Sequence, residues 1–281
     1  MVNKVKSCVF ISGSGSNLKS IIKHSRDYSF PIKIELIISN NIKAKGLQLA
    51  KKYSIPYKFF SSKNQKKFER QCLFEIKKRK IKFLCLAGFM KVLSNNFIRS
   101  FGYKIINIHP SLLPKYRGAS PVVSALLDGA TETGMTLIQL GEGLDDGPII
   151  AQVEVRVEET EDAEILTGRL FEIGADLLVS SGVLRGDRIR QIPQDEAQAT
   201  FTRKIRKEDG KANWELTAEN LARRARAFTP WPSLFSIWEG KIVKLLKVHA
   251  GKKEHIGKLG TVIDWDEADF PVGIVTGQGV L

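Results

Sequence analysis

An amide and an imidazole stand two residues apart in the segment Asn107-Ile108-His109, at the end of an apolar run that predicts a β-strand. Side chains two apart on a strand project to the same face, so Asn107 and His109 can act on one reacting atom. An amide donor beside an imidazole is suited to holding a developing oxyanion. A histidine at a strand end is also commonly structural, and an acidic partner is needed to favour the chemical interpretation.

Two adjacent carboxylates, Asp145 and Asp146, lie in the glycine-rich loop Gly141–Pro148. Such a loop is commonly a solvated turn. Placed beside His109, however, one of the aspartates would fix the orientation and charge of the imidazole. No second histidine or cysteine stands nearby at metal-ligand spacing, so the pattern predicts acid–base chemistry without a metal.

A third segment of chemical interest joins a predicted strand, Val5–Ser12, to a predicted helix. Its residues are Gly13, Ser14, Gly15, Ser16 and Asn17. Free backbone N–H groups and the helix dipole favour an anion at such a junction. The loop matches neither the P-loop nor the dinucleotide fingerprint. It therefore predicts a phosphate site or, alternatively, a tight turn that needs glycine.

All three segments follow predicted strands. Apolar strands separated by helix-period segments are predicted at Val5–Ser12, Ile32–Ser39, Phe83–Ala87 and Ile105–Ile108. This alternation predicts an α/β fold with a parallel sheet covered on both faces. Ligands bind such sheets at the carboxyl ends of the strands. The loop after Ser12, the turn Gly88–Leu93 and the segment after Ile108 should therefore meet at one edge.

Composition limits the class of protein. The 281 residues are 43% hydrophobic, which suits one or two folded domains and excludes a wholly disordered chain. No stretch approaches the ~20 apolar residues of a spanning helix. The scattered cysteines Cys8, Cys72 and Cys85 fit a reducing compartment. We expect a cytoplasmic protein with no membrane association.

Charge is unevenly distributed along the chain. The net charge is +14, but residues 1–108 hold 23 Lys and Arg against 4 Asp and Glu, whereas the remainder is net negative. A Lys-rich solvated surface explains this excess. A surface that attracts polyanions is the alternative.

The polar segment 191–202 is the predicted linker between a first domain, 1–190, and a second, 203–281. Short β-like segments in the second domain predict a small β-barrel or meander. The chain ends at Leu281 within a strand-like pattern, so we expect an incomplete barrel.

The second domain contains 14 Lys and Arg against 10 Asp and Glu. Its clustered cations are Arg203, Lys204, Arg206, Lys207, Arg223, Arg224 and Arg226. Such a cluster predicts a nucleic-acid backbone surface or a solvated face. Trp214, Trp231 and Trp238 are interpreted as core or interdomain anchors rather than as stacking platforms for bases.

The chain resembles the formyltransferases that use 10-formyltetrahydrofolate. The resemblance is carried by three segments that occur in the same order, Gly13–Asn17, Asn107–Pro114 and Leu144–Pro148. Residues 1–108 are similar to the glycinamide ribonucleotide (phosphoribosylglycinamide) formyltransferases. From Lys115 on, including Arg226–Pro232, the chain is similar to the methionyl-tRNA formyltransferases. The resemblance implies a Rossmann-like formyltransferase domain at 1–190 and an OB-like, tRNA-binding-type domain at 203–281.

The resemblance implies a catalytic set of Asn107, His109 and Asp145. An acceptor amine would attack the formyl carbon of the folate, Asn107 and His109 would stabilise the oxyanion, and Asp145 would help move the amine proton through water. It also implies a folate site. The expected residues are Met90, Lys91, Val92, Leu93, Ser111, Leu112, Leu113, Pro114, Gly141, Glu142, Gly143 and Leu144.

The resemblance leaves the acceptor open. Methionyl-initiator tRNA is favoured by the second domain and by Gly174, which stands where the purine branch carries a glutamate. Glycinamide ribonucleotide is favoured by the loop Gly13–Asn17 and by the short segment Ser39–Lys45, which lacks the basic insertion of the tRNA branch. A third possibility is a tRNA- or polyanion-binding protein with an inactive site. We predict the tRNA acceptor and a monomer.

Overall fold

The computed structural model describes residues 4–27, 30–184, 189–251, 257–265 and 272–281. The chain divides into two compact units. Unit 1 comprises Met1–Ala119, Thr133–Val155 and Thr167–Phe201, and unit 2 comprises Ser120–Glu132, Arg156–Leu166 and Thr202–Leu281. Two internal segments of the first predicted domain thus belong to unit 2, and the predicted linker, 191–202, belongs almost entirely to unit 1.

The described residues form thirteen strands and seven α-helices. The strands are β1 (Val5–Ile11), β2 (Ile32–Ser39), β3 (Tyr57–Phe59), β4 (Phe83–Leu86), β5 (Lys104–His109), β6 (Arg117–Gly118), β7 (Glu132–Gln139), β8 (Ile149–Arg156), β9 (Phe201–Thr202), β10 (Leu234–Trp238), β11 (Lys241–Leu245), β12 (Val262–Asp264) and β13 (Val272–Ile274). The helices are α1 (Ser16–Ser25), α2 (Lys45–Lys52), α3 (Gln65–Lys78), α4 (Asn95–Phe101), α5 (Pro121–Leu127), α6 (Ala163–Ser180) and α7 (Ala218–Ala227).

A seven-stranded sheet in the order β3-β2-β1-β4-β5-β7-β8 is the framework of the fold. Its first five strands pair in parallel, whereas β7 runs antiparallel to β5. The predicted α/β fold with a parallel sheet is confirmed, and the antiparallel addition of β7 goes beyond the prediction. The parallel order places the ends of β1, β4 and β5 at one edge, as expected for the ligand-binding side.

Helices α3 and α4 cover one face of this sheet. Phe68, Cys72 and Ile76 recur at helical spacing along α3 and are buried in the same core as Phe97 of α4. Phe10 of β1 contacts Phe89 edge-to-face, with ring centroids 5.3 Å apart. This contact anchors the turn that follows β4 to the core.

The cysteines Cys8, Cys72 and Cys85 are free thiols buried in unit 1. Burial raises the pKa of the Cys85 thiol to about 12 and also raises the pKa values of Cys8 and Cys72, because the thiolate would lose its hydration. These residues therefore behave as small apolar side chains rather than as nucleophiles.

Unit 2 contains small antiparallel sheets, β10–β11 and β12–β13. Helix α7 begins where the Thr217 hydroxyl accepts a hydrogen bond from the backbone N–H of Asn220, at 3.1 Å. Its apolar face buries Leu221 and Ala225 against Leu234. Among the described residues, no helix has the length and apolar content needed to cross a bilayer.

Candidate active site

Strand β5 positions Asn107 and His109. It lies between β4 and β7, with Asn107 opposite Leu86 on one side and His109 opposite Thr136 on the other. His109 is 4% exposed. The backbone that carries the amide and the imidazole is therefore held by hydrogen bonds from two neighbouring strands.

Asp145 meets both of these side chains. One carboxylate oxygen accepts a hydrogen bond from Asn107 Nδ2 at 2.9 Å. The other accepts the backbone N–H of Gly118 at 2.9 Å and lies 3.6 Å from His109 Nδ1. The structure thus brings Asn107 and His109, two of the residues predicted from the sequence, together at the carboxylate of the third, Asp145.

The second ring nitrogen of His109 faces the backbone. Nε2 lies 3.0 Å from the carbonyl oxygen of Tyr116. Since Nδ1 faces Asp145, the imidazole is oriented from both sides. A fixed ring is what a hydrogen-bond donor to a transient oxyanion requires.

The neighbouring aspartate has a different role. Asp146 turns back into its own loop, where Oδ2 accepts the backbone N–H of Gly143 at 3.0 Å. A Cβ at Gly141 would lie 2.2 Å from Asp146 Oδ1, so the loop can close around this carboxylate only with glycine there. Of the two adjacent carboxylates, Asp145 belongs to the site and Asp146 holds the loop.

The turn after His109 is stabilised by Thr136. Its hydroxyl donates to the carbonyl of Ser111 at 2.6 Å and accepts from the backbone N–H of Leu113 at 3.2 Å and from Gln152 Nε2 at 2.8 Å. Ser111 and Leu113 are buried. Their side chains build the turn, and their predicted contact with folate stays a prediction.

The turn after β4 borders the same edge of the sheet. Its backbone is fixed where Met90 N donates to the Ser12 hydroxyl at 2.8 Å. Leu93 is buried in the core against which Leu140, just before the Asp145 loop, also packs. Met90 and Val92 are exposed, as is Leu144 in the neighbouring loop. These side chains offer exposed apolar surface on the turn after β4 and on the Asp145 loop.

The loop Gly13–Asn17 forms the tight turn considered for it, and its phosphate site stays a prediction. Gly15 has φ of 80°, and a Cβ there would lie 2.6 Å from Gly46 Cα, so the tight turn does need glycine. The loop also lines a pocket of about 400 Å³ with Lys19, Lys45 and Lys52. Asn17 is buried, and its side-chain amide has no hydrogen-bond partner within the described part of the chain. This pocket suits an anion.

Three of the arginines predicted to contact nucleic acid form hydrogen bonds within unit 2 instead. Arg203 binds both carboxylate oxygens of Asp209 at 2.7 Å, which lowers the pKa of that carboxyl to about 2. Arg224 donates to the backbone oxygen of Asp209 at 2.9 Å, and burial lowers its pKa. Arg226 donates to the Glu161 carbonyl at 3.2 Å. These three arginines stabilise unit 2.

The tryptophans of unit 2 differ in exposure. Trp214 is partly buried against the core of the unit. Trp231 is 56% exposed and Trp238 68% exposed. Of the two expected roles, burial in a core does not hold for these residues, because Trp231 lies in a proline-flanked turn and Trp238 at the tip of the β10–β11 hairpin, and the interdomain role stays a prediction.

Two family models match the chain. The formyl transferase model covers residues 5–181, and the formyl transferase C-terminal domain model covers residues 204–281. The chain belongs to the formyltransferase family. The Asn107–His109–Asp145 arrangement lies within the first match.

Curated relatives of this formyltransferase include methionyl-tRNA formyltransferases from Chloroflexus aurantiacus and Treponema pallidum. The first is 41% identical over 186 residues, or 66% of this chain and 59% of the relative. The second is 40% identical over 202 residues, or 70% of this chain and 62% of the relative. The chain thus spans about three fifths of the length of these relatives.

Solved structures similar to this formyltransferase include glycinamide ribonucleotide transformylase 1 from two organisms. The Symbiobacterium toebii structure has a TM-score of 0.61 at 27% identity, covering 68% of this chain and 95% of the other. The Geobacillus kaustophilus structure has a TM-score of 0.58 at 33% identity, covering 64% and 97%. Among the described residues, no group of His, Cys, Asp or Glu side chains is arranged to hold a metal ion.

The position of the purine-branch glutamate is tightly packed. A Cβ at Gly174 of α6 would lie 2.6 Å from Met135 Cε and 3.0 Å from Ile108 Cγ2. Both neighbours are buried. A side chain at this position would therefore have to shift the end of the Met135 side chain and the Ile108 methyl group.

We expect Gly174→Glu to destabilise the protein by about 1–3 kcal/mol, because it overpacks a buried site. Gly168→Glu is the matched control, since Gly168 lies on the same helix and a Cβ there would meet nothing within 4 Å. Thermal unfolding of both variants measures the difference. Equal melting temperatures for the two variants would contradict the packing argument.

Proposed function

We propose that this formyltransferase transfers the formyl group of 10-formyltetrahydrofolate to the amino group of methionyl-initiator tRNA. The main observation in support is that one chain contains both the Asn107–His109–Asp145 arrangement and a formyl transferase C-terminal domain. The methionyl-tRNA formyltransferases similar to this chain support the same acceptor.

The site geometry accounts for the chemistry of transfer. The acceptor amine attacks the formyl carbon, and the new C–N bond forms as the carbonyl oxygen gains charge. Asn107 donates a hydrogen bond to that oxygen through Nδ2, and His109 donates one through Nδ1, which at 3.6 Å from Asp145 makes no direct hydrogen bond to the carboxylate. Asp145 accepts the amine proton through a water molecule and passes it to the folate nitrogen as the old C–N bond breaks. Asn107 and the Gly118 N–H hold the Asp145 carboxylate at 2.9 Å in each case.

The folate ring system is proposed to lie between the turn after β4 and the Asp145 loop. Exposed Met90, Val92 and Leu144 supply apolar contact for a flat heterocycle. The backbone of both segments supplies donors and acceptors for its polar edge. No metal takes part in the proposed reaction.

The tRNA surface is proposed to include the β10–β11 hairpin of unit 2. Trp238 pairs in register with Lys241, so their side chains lie on one face of the hairpin, whereas Lys244 lies on the other face. All three side chains are exposed. The exposed ring of Trp238 beside Lys241 suits stacking on a base while the ammonium group contacts a phosphate. Exposed Lys204 and Lys207 extend the positive surface.

Glycinamide ribonucleotide is the second candidate acceptor. The pocket of three lysines beside Gly15 favours it, since a ribose phosphate would fit there. Gly174 opposes it, because it stands where the purine branch carries a glutamate that would hold the acceptor amine. For either acceptor, we propose a monomeric enzyme acting in the cytoplasm, where thiols such as Cys8 and Cys85 stay reduced.

Release of tetrahydrofolate from 10-formyltetrahydrofolate tests the proposal directly. Purified protein is given methionyl-initiator tRNA or glycinamide ribonucleotide in separate reactions, and we expect turnover with the tRNA alone. Turnover with the ribonucleotide alone would establish the second candidate. Binding of tRNA without turnover of either acceptor would indicate a binding protein with an inactive site.

His109→Ala should lower kcat by about 10²–10³ while leaving folate affinity unchanged, because the imidazole acts on an oxyanion that exists only during the reaction. Steady-state kinetics and equilibrium binding of tetrahydrofolate measure the two effects. His24→Ala is the matched control, since His24 pairs with Asp176 on the surface at 2.9 Å. Wild-type turnover by His109→Ala would refute the assigned role.

Trp238→Ala should raise the KM for tRNA about 10-fold with kcat and the KM for folate unchanged, because a stacking contact is lost. Ile237→Ala, an exposed apolar neighbour on the same hairpin, is the control and should behave as wild type. Kinetics at two salt concentrations add a second measure, since phosphate contacts weaken with salt. An unchanged KM for Trp238→Ala would place the tRNA elsewhere.

A further inference from the structure

Asp145 is held in an unusual backbone conformation. Its φ is 52°, in the left-handed region that non-glycine residues seldom adopt. Asn107 and Gly118 fix its carboxylate, but they do not hold its backbone. Something else must keep this residue in a conformation that aims the carboxylate at Asn107 and His109.

Gln194 supplies that restraint. Its side-chain Nε2 donates to the backbone oxygen of Asp145 at 2.8 Å and to the backbone oxygen of Gly147 at 2.7 Å. Both amide hydrogens are therefore used, one on each side of the tight turn between the two residues. The Gln194 side chain thus links two backbone carbonyls of the Asp145 loop.

Arg117 orients the Gln194 amide. Its Nε and Nη2 donate to Gln194 Oε1 at 3.1 and 2.8 Å. A flipped amide would place its oxygen against two carbonyl oxygens and its NH₂ against the guanidinium, so only one orientation is compatible with these neighbours. Arg117 is 2% exposed, and its outer edge binds both carboxylate oxygens of Glu196 at 2.9 and 2.7 Å.

The residues beside Arg117 touch the site directly. The Tyr116 carbonyl faces His109 Nε2, and the Gly118 N–H donates to Asp145. The backbone N–H of Arg117 in turn donates to the carbonyl of Thr200 at 2.9 Å. The segment 116–118 is thus hydrogen-bonded to Gln194, Glu196 and Thr200, and this brace reaches both the imidazole and the carboxylate.

We propose that Gln194 and Arg117 are positioning residues that hold Asp145 in its reactive orientation. The inference rests on the proposed function, because that function assigns Asp145 its role in proton transfer. Gln194 acts on the catalytic carboxylate through the backbone of Asp145, and Arg117 acts through Gln194. Neither side chain contacts the reacting atoms.

Three variants test the brace. Gln194→Ala removes the restraint. Gln194→Glu keeps oxygen acceptors for Arg117 but replaces the Nε2 donors with an oxygen that repels the two carbonyls. Gln198→Ala is the matched control, since Gln198 is an exposed glutamine of the same segment that donates to Asp195 at 2.9 Å. Each variant is compared with wild type in kcat, in KM for both substrates, and in amide hydrogen exchange of residues 143–147.

We expect both Gln194 variants to lower kcat about 10-fold to 100-fold with little change in either KM, because a displaced catalytic group slows the chemical step. Exchange in residues 143–147 should quicken in both and stay at the wild-type rate in Gln198→Ala. Wild-type kcat in Gln194→Glu would mean that the residue serves only as a hydrogen-bond acceptor for Arg117, which overturns the proposal. Unchanged exchange in both Gln194 variants would overturn it as well.

The test of the Gln194 variants can fail or succeed independently of the test of the proposed function. If wild-type protein turns over neither acceptor, the proposed function fails, whereas the exchange measurement still decides whether Gln194 restrains the Asp145 loop. If wild-type protein is active and the Gln194 variants keep its kcat, the brace fails and the proposed function stands.

Discussion

The carboxylate of Asp145 is the group on which the arrangement of the site depends. It accepts hydrogen bonds from the Asn107 amide and the Gly118 backbone and lies 3.6 Å from the imidazole of His109. A partly buried carboxylate is costly unless its oxygens are satisfied, so these contacts are needed for the loop to close at all. The same contacts aim the amide and imidazole at one point in space.

The surrounding elements serve this carboxylate in different ways. Strand β5 holds Asn107 and His109 between two hydrogen-bonded neighbours. The glycine at 141 lets the loop fold around Asp146, which leaves Asp145 facing the site. The brace through Gln194 restrains the loop from the other side. The orientation of Asn107, His109 and Asp145 thus depends on a strand, a tight loop and a segment distant in sequence.

The two surfaces proposed for the acceptor use different parts of the chain. The lysine pocket beside Gly15 is suited to a phosphate, whereas exposed Trp238 and Lys241 are suited to a nucleic acid. The sequence shows cationic residues in both regions but does not show which of their side chains bind other groups of the protein and which are exposed to solvent. Arg203, Arg224 and Arg226 form contacts within unit 2, because carboxylates and carbonyls approach them only after the chain folds. The exposure of Trp238 could not be predicted from the sequence either, since the pattern of a strand does not show which of its faces packs against the rest of the protein.

The α/β fold and the place of the site could be predicted from local patterns. Apolar runs and helical spacing are properties of neighbouring residues, and the two-residue period of a strand puts Asn107 and His109 on one face. The choice of Asp145 over Asp146 came from the resemblance, and only the folded loop shows that Asp145 is the aspartate beside Asn107 and His109. The role of the segment predicted as a linker depended wholly on tertiary structure. Gln194 lies 49 residues from Asp145 and 77 from Arg117, and hydrogen bonds across such separations exist only once the sheet has brought their partners together.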